Sequence, residues 1–496
     1  MMTDNEFIGK PIRDVNGRVY HITSILSRGG QGVVYKTAED FLIKQNTSSD
    51  REKYKERYKW LKHRGTKLPK ETRIAFPIAI IEEPFVGYVM KEAKGHVPLE
   101  DYVNIPEEIK NIWDWYFIDT GGITKRLQIG YLLARSLRYL HINGYAYVDI
   151  SPGNILVSKT QNSIAIIDSD NITSGVYRPL VDGTNYYMAP EIGNRVSIAN
   201  SVTDTYSYAV LLFKMLTTCH PFIGDDAEEA NPEEVQEAVD TGKMPYIGDP
   251  NSEENKNSNF DNTKIFLTEE LSELFRRMFV DGKLESSRRP TLIEFMRACA
   301  HARNAVIQCD QDGCDTEYYY AGTDCTCPIC DRHINKVYLL RSRTLIKADG
   351  KILIPSDGSD ELKQLDVYSD IIGDMAVTKK MKYINRSFFD ENIPIDSDGS
   401  LAAVAMTKSG NLAVLNLTKN KVTIFDSKMT QSRIVPSYIK KVTEPVIIDE
   451  KPGIYYLFLD KNIDVTSENE HIDLKEIERY YGTAELGKFV LIRREK

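Results

Sequence analysis

Four short stretches of the 496-residue chain carry side chains whose types and spacing could do chemistry. Ser27-Arg28-Gly29-Gly30-Gln31-Gly32-Val33-Val34-Tyr35 is a glycine-rich turn between two strand-like runs, where backbone N–H groups can close over anionic oxygens. Phe41-Leu42-Ile43-Lys44 is an apolar strand ending in an ammonium that could meet phosphates. Tyr147-Val148-Asp149-Ile150-Ser151-Pro152-Gly153-Asn154 sets an acid and an amide five residues apart on a tight loop. Ile164 to Ile167 is an apolar run that delivers Asp168-Ser169-Asp170. Each stretch alone has a plain structural reading as a hairpin, a strand with one solvated end, or a turn. In this order they make a constellation for handling phosphate.

A fifth group points to a metal. Cys309-x4-Cys314 and Cys327-x2-Cys330 are two chelating knuckles separated by twelve residues, the spacing of a tetrahedral four-thiolate zinc site. Cys325 is the rival of Cys327, but its spacing to Cys330 makes a less typical knuckle. Seven cysteines, an odd number with five of them clustered, form a poor disulfide framework. A closed site of this kind holds structure. Asp310, Asp312, Asp315, Glu317 and Asp324 surround it, which favours protein over nucleic acid as anything the segment contacts.

The elements that must position these groups fall into three zones. From 14 to 303, strands at Val19 to Ile25, Val33 to Lys36 and Phe41 to Lys44 precede helices at Arg51 to Arg64, Lys125 to Leu140, Thr203 to Leu216 and Thr268 to Phe279. That order predicts an α+β domain, a small β-rich lobe followed by a larger helical one. Gly224 to Asp240, with eight acids and no base, and the Asn- and Ser-rich Asp249 to Asn262 read as solvated surface insertions. Residues 304–336 form the cysteine zone. Residues 337–496 are mainly β, with runs at Ala402 to Met406, Leu412 to Leu417, Val422 to Phe425, Ile454 to Leu459 and Phe489 to Ile492. Asp349-Gly350, Ser409-Gly410-Asn411 and Pro452-Gly453 mark turns between them. A net charge of −9 disfavours broad nucleic-acid binding, and no apolar stretch approaches membrane-spanning length. The first residues show no secretory signal, so a cytoplasmic location is expected.

With Asp182-Gly183-Thr184-Asn185-Tyr186-Tyr187-Met188-Ala189-Pro190-Glu191 added, the first zone resembles a eukaryotic-type (Hanks-like) protein kinase domain. The resemblance implies a bilobal fold and the use of ATP with Mg2+ or Mn2+. It assigns Lys44 to the α- and β-phosphates, Asp149 to the substrate hydroxyl, and Asn154 and Asp168 to magnesium. Ser27, Gly29, Gly32 and Val34 would cover the nucleotide; Ser27 stands where the family has its first glycine. Tyr88-Val89-Met90-Lys91-Glu92-Ala93 resembles the strand into the adenine-contacting hinge, with Met90 as gatekeeper and Glu92 in the hinge. The lysine's carboxylate partner should lie on the basic helix, with Glu56 fitting better than Glu52. Asp204 resembles the acid that holds the catalytic loop, and Arg289 the arginine that pairs with Glu191. Gly183-Thr184 resembles the Ser/Thr class, implying a serine/threonine kinase acting on protein substrates and on itself.

Departures are visible too. Tyr147 and Val148 stand for the family's His-Arg, Ser151 for a phosphate-contacting lysine, and Asp168-Ser169-Asp170 for Asp-Phe-Gly. Retention of all four chemical groups weighs against the alternative of a nucleotide-binding pseudokinase scaffold. Ala189-Pro190-Glu191 weighs against a small-molecule kinase of the same fold. A kinase followed by a zinc ribbon resembles bacterial kinases found beside von Willebrand A-domain proteins and PPM-type phosphatases in tellurite-resistance settings, which implies such partners. The third zone faintly resembles a forkhead-associated β-sandwich that lacks the phosphopeptide ligands. The 14–303 region is expected to keep its activity without the ribbon.

Overall fold

The computed structural model describes residues 7–30, 32–47, 50–174, 183–228, 230–320, 325–334, 336–344, 346–348, 351–353, 374–388, 400–417, 422–425, 432–435, 446–448, 454–458 and 488–495. Gln31, Asp182, Asp324, Leu459 and the turns at Asp349-Gly350 and Pro452-Gly453 lie outside them. The chain divides into two compact units, Met1–Lys110 with Gln128–Met296, and Asn111–Leu127 with Arg297–Lys496. One cut falls between Met296 and Arg297, close to the boundary expected at 303, and 111–127 groups with the C-terminal segment.

The first unit opens with a six-stranded antiparallel sheet. Its strands are β1 (Pro11–Arg13), β2 (Val19–Gly29), β3 (Gly32–Thr37), β4 (Phe41–Asn46), β5 (Ala79–Ile80) and β6 (Gly87–Lys91), in the order β1-β2-β3-β4-β6-β5. Alternation sends Tyr20, Ile22, Val33, Tyr35 and Ile43 into one core cluster with Ile12 and Val89. Helix α1 (Arg51–Gly65) starts at Asp50, whose carboxylate caps it, and buries only Arg57, Tyr58 and Leu61. A hairpin of β9 (Ile155–Ser158) and β10 (Ile164–Ile166) follows β7 (His96–Pro98) and the two-residue β8 (Tyr145–Ala146). Strand β11 (Thr173–Ser174) pairs with β8, Thr173 opposite Ala146.

Helix α2 (Gly122–Ile142) runs through the division between the units, and α3 (Ser201–Thr217) is buried on nearly every side. A helix apolar all round belongs in the core of a large helical layer. Asn200 closes the start of α3 with a capping box, and Phe213 packs edge-on against Phe275 and Phe279. The two polar segments read as insertions are folded. Gly224 to Asp240 contains α4 (Pro232–Asp240), whose Val235, Val239 and Asp240 are buried. Asp249 to Asn262 runs into α5 (Ser258–Thr263), capped by Asn257 and anchored by buried Phe260. Sparse apolar residues at helical spacing suffice there because asparagine caps supply the helix starts. Helix α6 (Glu269–Arg276) continues into a wider turn, and α7 (Leu292–Ala305) ends the helical region.

In the second unit, Val306–Gln308 and Glu317–Tyr319 form a hairpin beside the cysteine segment. Beyond it lie an antiparallel six-stranded and an antiparallel four-stranded sheet. Tyr338, Leu340, Met375 and Val377 of the larger sheet share a core with Ile384, Ala402, Val404, Leu412 and Val414 of the smaller. Among the described residues, no helix is long and apolar enough to cross a membrane.

Candidate active site

The glycine-rich turn lies where β2 passes into β3. At Gly32 the backbone has φ 157° and a Cβ would stand 2.1 Å from the Gln45 carbonyl oxygen, so this position excludes any side chain. Gly29 and Gly30 have open space where a Cβ would stand, which leaves the tip open to a ligand. Ser27 pairs with Val34 across the hairpin.

Strand β4 carries Lys44 inward until it is 3% exposed. Its ammonium donates to Asp168 Oδ1 at 3.1 Å and to both oxygens of Asp170 at 3.0 Å. The chain turns there because Asp168 adopts φ 55°, in the left-handed region, and begins a tight turn over Ser169–Asn171. That bend lets two carboxylates two residues apart face one amine. Tyr88 donates its hydroxyl to Asp170 Oδ1 at 3.3 Å. Burial pushes the Asp168 carboxyl above the usual aspartate range, with the nearby Asp170 charge adding to it against the pull of Lys44. Lys44 itself is held protonated: burial opposes its charge, but the two carboxylates outweigh that. Removing one partner of such a buried pair leaves an uncompensated charge and costs about 3–5 kcal/mol.

Glu56 does not reach this cluster. It is exposed on α1, whose inward face is Arg57, Tyr58 and Leu61. Glu52 is exposed as well and pairs with Lys55 at 2.9 Å. Arg57 instead donates from Nε and Nη2 to the Asp170 carbonyl at 3.2 and 2.7 Å, and from Nη2 to the Ile172 carbonyl. The helix therefore grips the main chain beside the acids rather than the lysine. Tyr58 packs edge-on against Tyr88, ring centroids 4.9 Å apart.

The loop after β8 presents Asp149. Its Oδ1 accepts from Thr184 Oγ1 at 2.5 Å, and its Oδ2 accepts from Asn154 Nδ2 at 2.8 Å and Asn171 Nδ2 at 3.1 Å. Both oxygens are thereby aimed. The loop is held from below by buried Asp204, which accepts the N–H groups of Tyr147 and Val148 at 2.7 and 2.9 Å and meets His141 Nε2 at 2.9 Å. Tyr147 is buried and donates its hydroxyl to the Ile167 carbonyl, tying this loop to the strand that delivers Asp168. Glu191 receives a two-pronged Arg289 pair at 2.7 Å on each oxygen, the geometry that suits a guanidinium. At the far end of β6, Met90 is buried, and Glu92 Oε1 accepts from Lys36 Nζ at 2.9 Å.

Asn171 and Arg57 were not singled out in the sequence, and Asp170 and Tyr147 stood out there only as departures from the family's Asp-Phe-Gly and His-Arg. Arg57 is the base of α1 that is buried with Tyr58 and Leu61. Asp170 could have been found as a second acid on the same turn as Asp168.

The donor set fits a divalent cation. Asp168 offers a carboxylate that is one-third exposed, and Asn154 uses its Nδ2 on Asp149 while keeping its amide oxygen. The cysteines fit zinc: the Sγ atoms of Cys309, Cys314, Cys327 and Cys330 lie within 4.8 Å of one another, with Cys309–Cys330 at 3.5 Å and Cys314–Cys327 at 3.9 Å. Thiolates about 2.3 Å from a tetrahedral zinc stand about 3.8 Å apart. Cys325 is outside this set; it is buried, and its carbonyl accepts the Tyr318 hydroxyl at 3.0 Å. The surrounding acids are not all presented outward. Asp310 pairs with Arg332 and Lys379, both at 3.0 Å, and Glu317 is buried on the start of α2.

Residues 90–302 match the family model of the protein kinase domain. The match begins at Met90, so the glycine-rich turn and Lys44 precede it. The chain is 38% identical over 106 residues to ribosomal protein S6 kinase 2 alpha of Xenopus laevis and to ribosomal protein S6 kinase alpha-1 of Homo sapiens. It is 31% identical over 112 residues to the serine/threonine-protein kinase mos of Patiria pectinifera. These matches cover 20–21% of this chain and only 14% of each S6 kinase and 32% of mos.

Proposed function

We propose that this chain is a serine/threonine protein kinase that uses ATP with magnesium and phosphorylates protein substrates, itself included. The observation that carries this is Asp149, with Thr184, Asn154 and Asn171 on its two oxygens. An acid so oriented beside Lys44 and Asp168 can take the proton of an incoming hydroxyl. The hydroxyl oxygen bonds to the γ-phosphorus, the bond from that phosphorus to the bridging oxygen of ADP breaks, and the proton passes to Asp149. Thr184, bonded to Asp149, borders the place where the acceptor hydroxyl would enter. Lys44 draws the α- and β-phosphates into line, and Gly29, Gly30 and Gly32 admit backbone over them. Asn154 and Asp168 would hold magnesium, which when bound offsets charge on the transferred phosphoryl.

The four-cysteine zinc ribbon is structural in this reading, and the C-terminal strands form an accessory β domain. The resemblance extends the reading to a cytoplasmic bacterial kinase partnered by a von Willebrand A-domain protein and a PPM-type phosphatase, which co-purification tests. The chemistry is tested with labelled ATP and magnesium, followed by mapping of phosphosites. Wild type should label itself or a protein substrate. Asp149→Asn should bind ATP within about threefold of wild type yet transfer roughly 10²- to 10⁴-fold more slowly, the usual contribution of a positioned base. Asp168→Ala should lose magnesium-dependent binding as well as transfer. A wild-type chain that binds ATP with magnesium and transfers nothing would be a scaffold instead.

A further inference from the structure

We infer that Asp170 is the residue that positions Lys44 for the phosphates of the nucleotide, in place of a carboxylate on α1; the inference rests on the kinase reading above. Three observations carry it. Asp170 is fully buried and gives both of its oxygens to the Lys44 ammonium at 3.0 Å, whereas Asp168 gives one at 3.1 Å and is one-third exposed. An acid with one bond and an open side can turn to a cation, while an acid with two bonds and no exposure stays with its lysine. Next, the inward face of α1 offers Arg57, Tyr58 and Leu61 and no acid, with Glu56 and Glu52 outside. Finally, Arg57 holds the carbonyls of Asp170 and Ile172, and Tyr88 holds the Asp170 carboxylate, so the acid is fixed from its main chain and from its side chain. Alignment of Lys44 is therefore built into the segment that follows β10 and needs no carboxylate delivered by the helix.

The test uses the full chain, with affinities for ATP with magnesium and for adenosine by calorimetry, and kcat by phosphotransfer. Asp170→Asn keeps the shape and removes the charge. It should lower kcat by about 10²-fold, the size of loss that misplacing a reacting group causes. ATP affinity should fall at least fivefold, with adenosine, which has no phosphate, within twofold. A merely structural role would weaken adenosine and ATP together. Glu56→Gln should stay within twofold of wild type on every readout. Tyr58 stands on the inward face of α1 against Tyr88, so Tyr58→Glu in an Asp170→Gly background returns a carboxylate from the helix and should regain at least tenfold in kcat over Asp170→Gly alone. Asp170→Asn with kcat and ATP affinity within threefold of wild type would overturn the inference, as would a tenfold loss in Glu56→Gln. If wild type transfers no phosphate, the kinase reading fails, and the ATP–adenosine comparison still decides the part of Asp170.

Discussion

At the scale of single residues, the site is held by groups that strain or desolvation would otherwise disfavour. Val148 is β-branched yet sits at φ 79°, a conformation that costs on the order of 1–3 kcal/mol. It persists because the buried Asp204 carboxylate accepts the N–H groups of Tyr147 and Val148 together, and bonds to a charged acceptor are the strong ones. Asp240 plays a similar part for the loop after Thr184, accepting the Tyr186 N–H at 2.7 Å. Burial pushes its carboxyl up to about 6 from 3.8, with the Tyr186 bond opposing the shift. An acid raised on folding binds its proton more tightly in the folded chain. Stability from this group is therefore full below pH 4, falls as pH rises through 4–6, and is level above. Asp240→Asn, neutral throughout, should gain on wild type by on the order of 1–2 kcal/mol between pH 4 and pH 7 in paired denaturation curves. A constant difference across that range would show that Asp240 stays ionised. That Asp149 and Asn154 share a tight loop and that Asp168 follows an apolar strand was legible in the sequence, because short loops and strand ends leave side chains few places to go. The Lys44 partner was not, since α1 offers two glutamates and only its packed face shows that neither points inward.

At the scale of elements, the segment after β10 connects the two halves of the site. Arg57 of α1 binds its carbonyls from one side, and β11 pairs with β8 from the other, Thr173 with Ala146 and Ser174 with Tyr145. Thr173 is buried in that pairing. With Val148 where the family carries an arginine, a phosphate here would have no charge-assisted partner at that position of the Asp149 loop, and it would have to enter a two-stranded ribbon. Thr173→Ala with Ser174→Ala should therefore leave initial phosphotransfer rates within about threefold, under 1 kcal/mol of barrier. A hundredfold loss would mean that another base has taken the arginine's part. The helices and strands of this half were readable in the sequence, as in the apolar stripe Leu127, Ile129, Leu132, Leu133, Leu137 and Leu140 of α2. The polar segments were not, because α4 rests on two apolar side chains, Val235 and Val239, and α5 on Phe260 alone, and composition averages those away. Their asparagine caps were the local signal, at Asn231 and Asn257.

At the scale of the whole molecule, the sequence reading treats the ribbon as an appendage, and the division of the chain argues otherwise. Residues 111–127 lie in the same compact unit as the cysteine segment, although both they and residues 149–191 fall within the match to the protein kinase family model. Within that unit, Glu317 from the hairpin beside the cysteines accepts the Thr124 N–H at 2.8 Å and its hydroxyl at 2.9 Å, at the first turn of α2, where an acid satisfies orphan donors. Lys380 also pairs with Glu317, at 3.0 Å. The acid itself sits only three residues from Cys314, so its placement depends on how the cysteine segment folds. If Cys309, Cys314, Cys327 and Cys330 bind one zinc, the metal supplies on the order of 10 kcal/mol of local folding free energy, and the seat of α2 is lost with it. Metal analysis of the full chain should return about one zinc. Cys330→Ser should lose that metal, lower the melting temperature and reduce phosphotransfer, although it touches no residue of the site. Glu317→Gln should keep the zinc and lower stability by about 1–3 kcal/mol, the cost of losing a buried charged acceptor. Residues 14–303 alone, which lack Glu317, should then melt earlier than the full chain and turn over more slowly. Should Cys330→Ser hold its melting temperature and its rate, the ribbon is an appendage after all, and α2 stands without it.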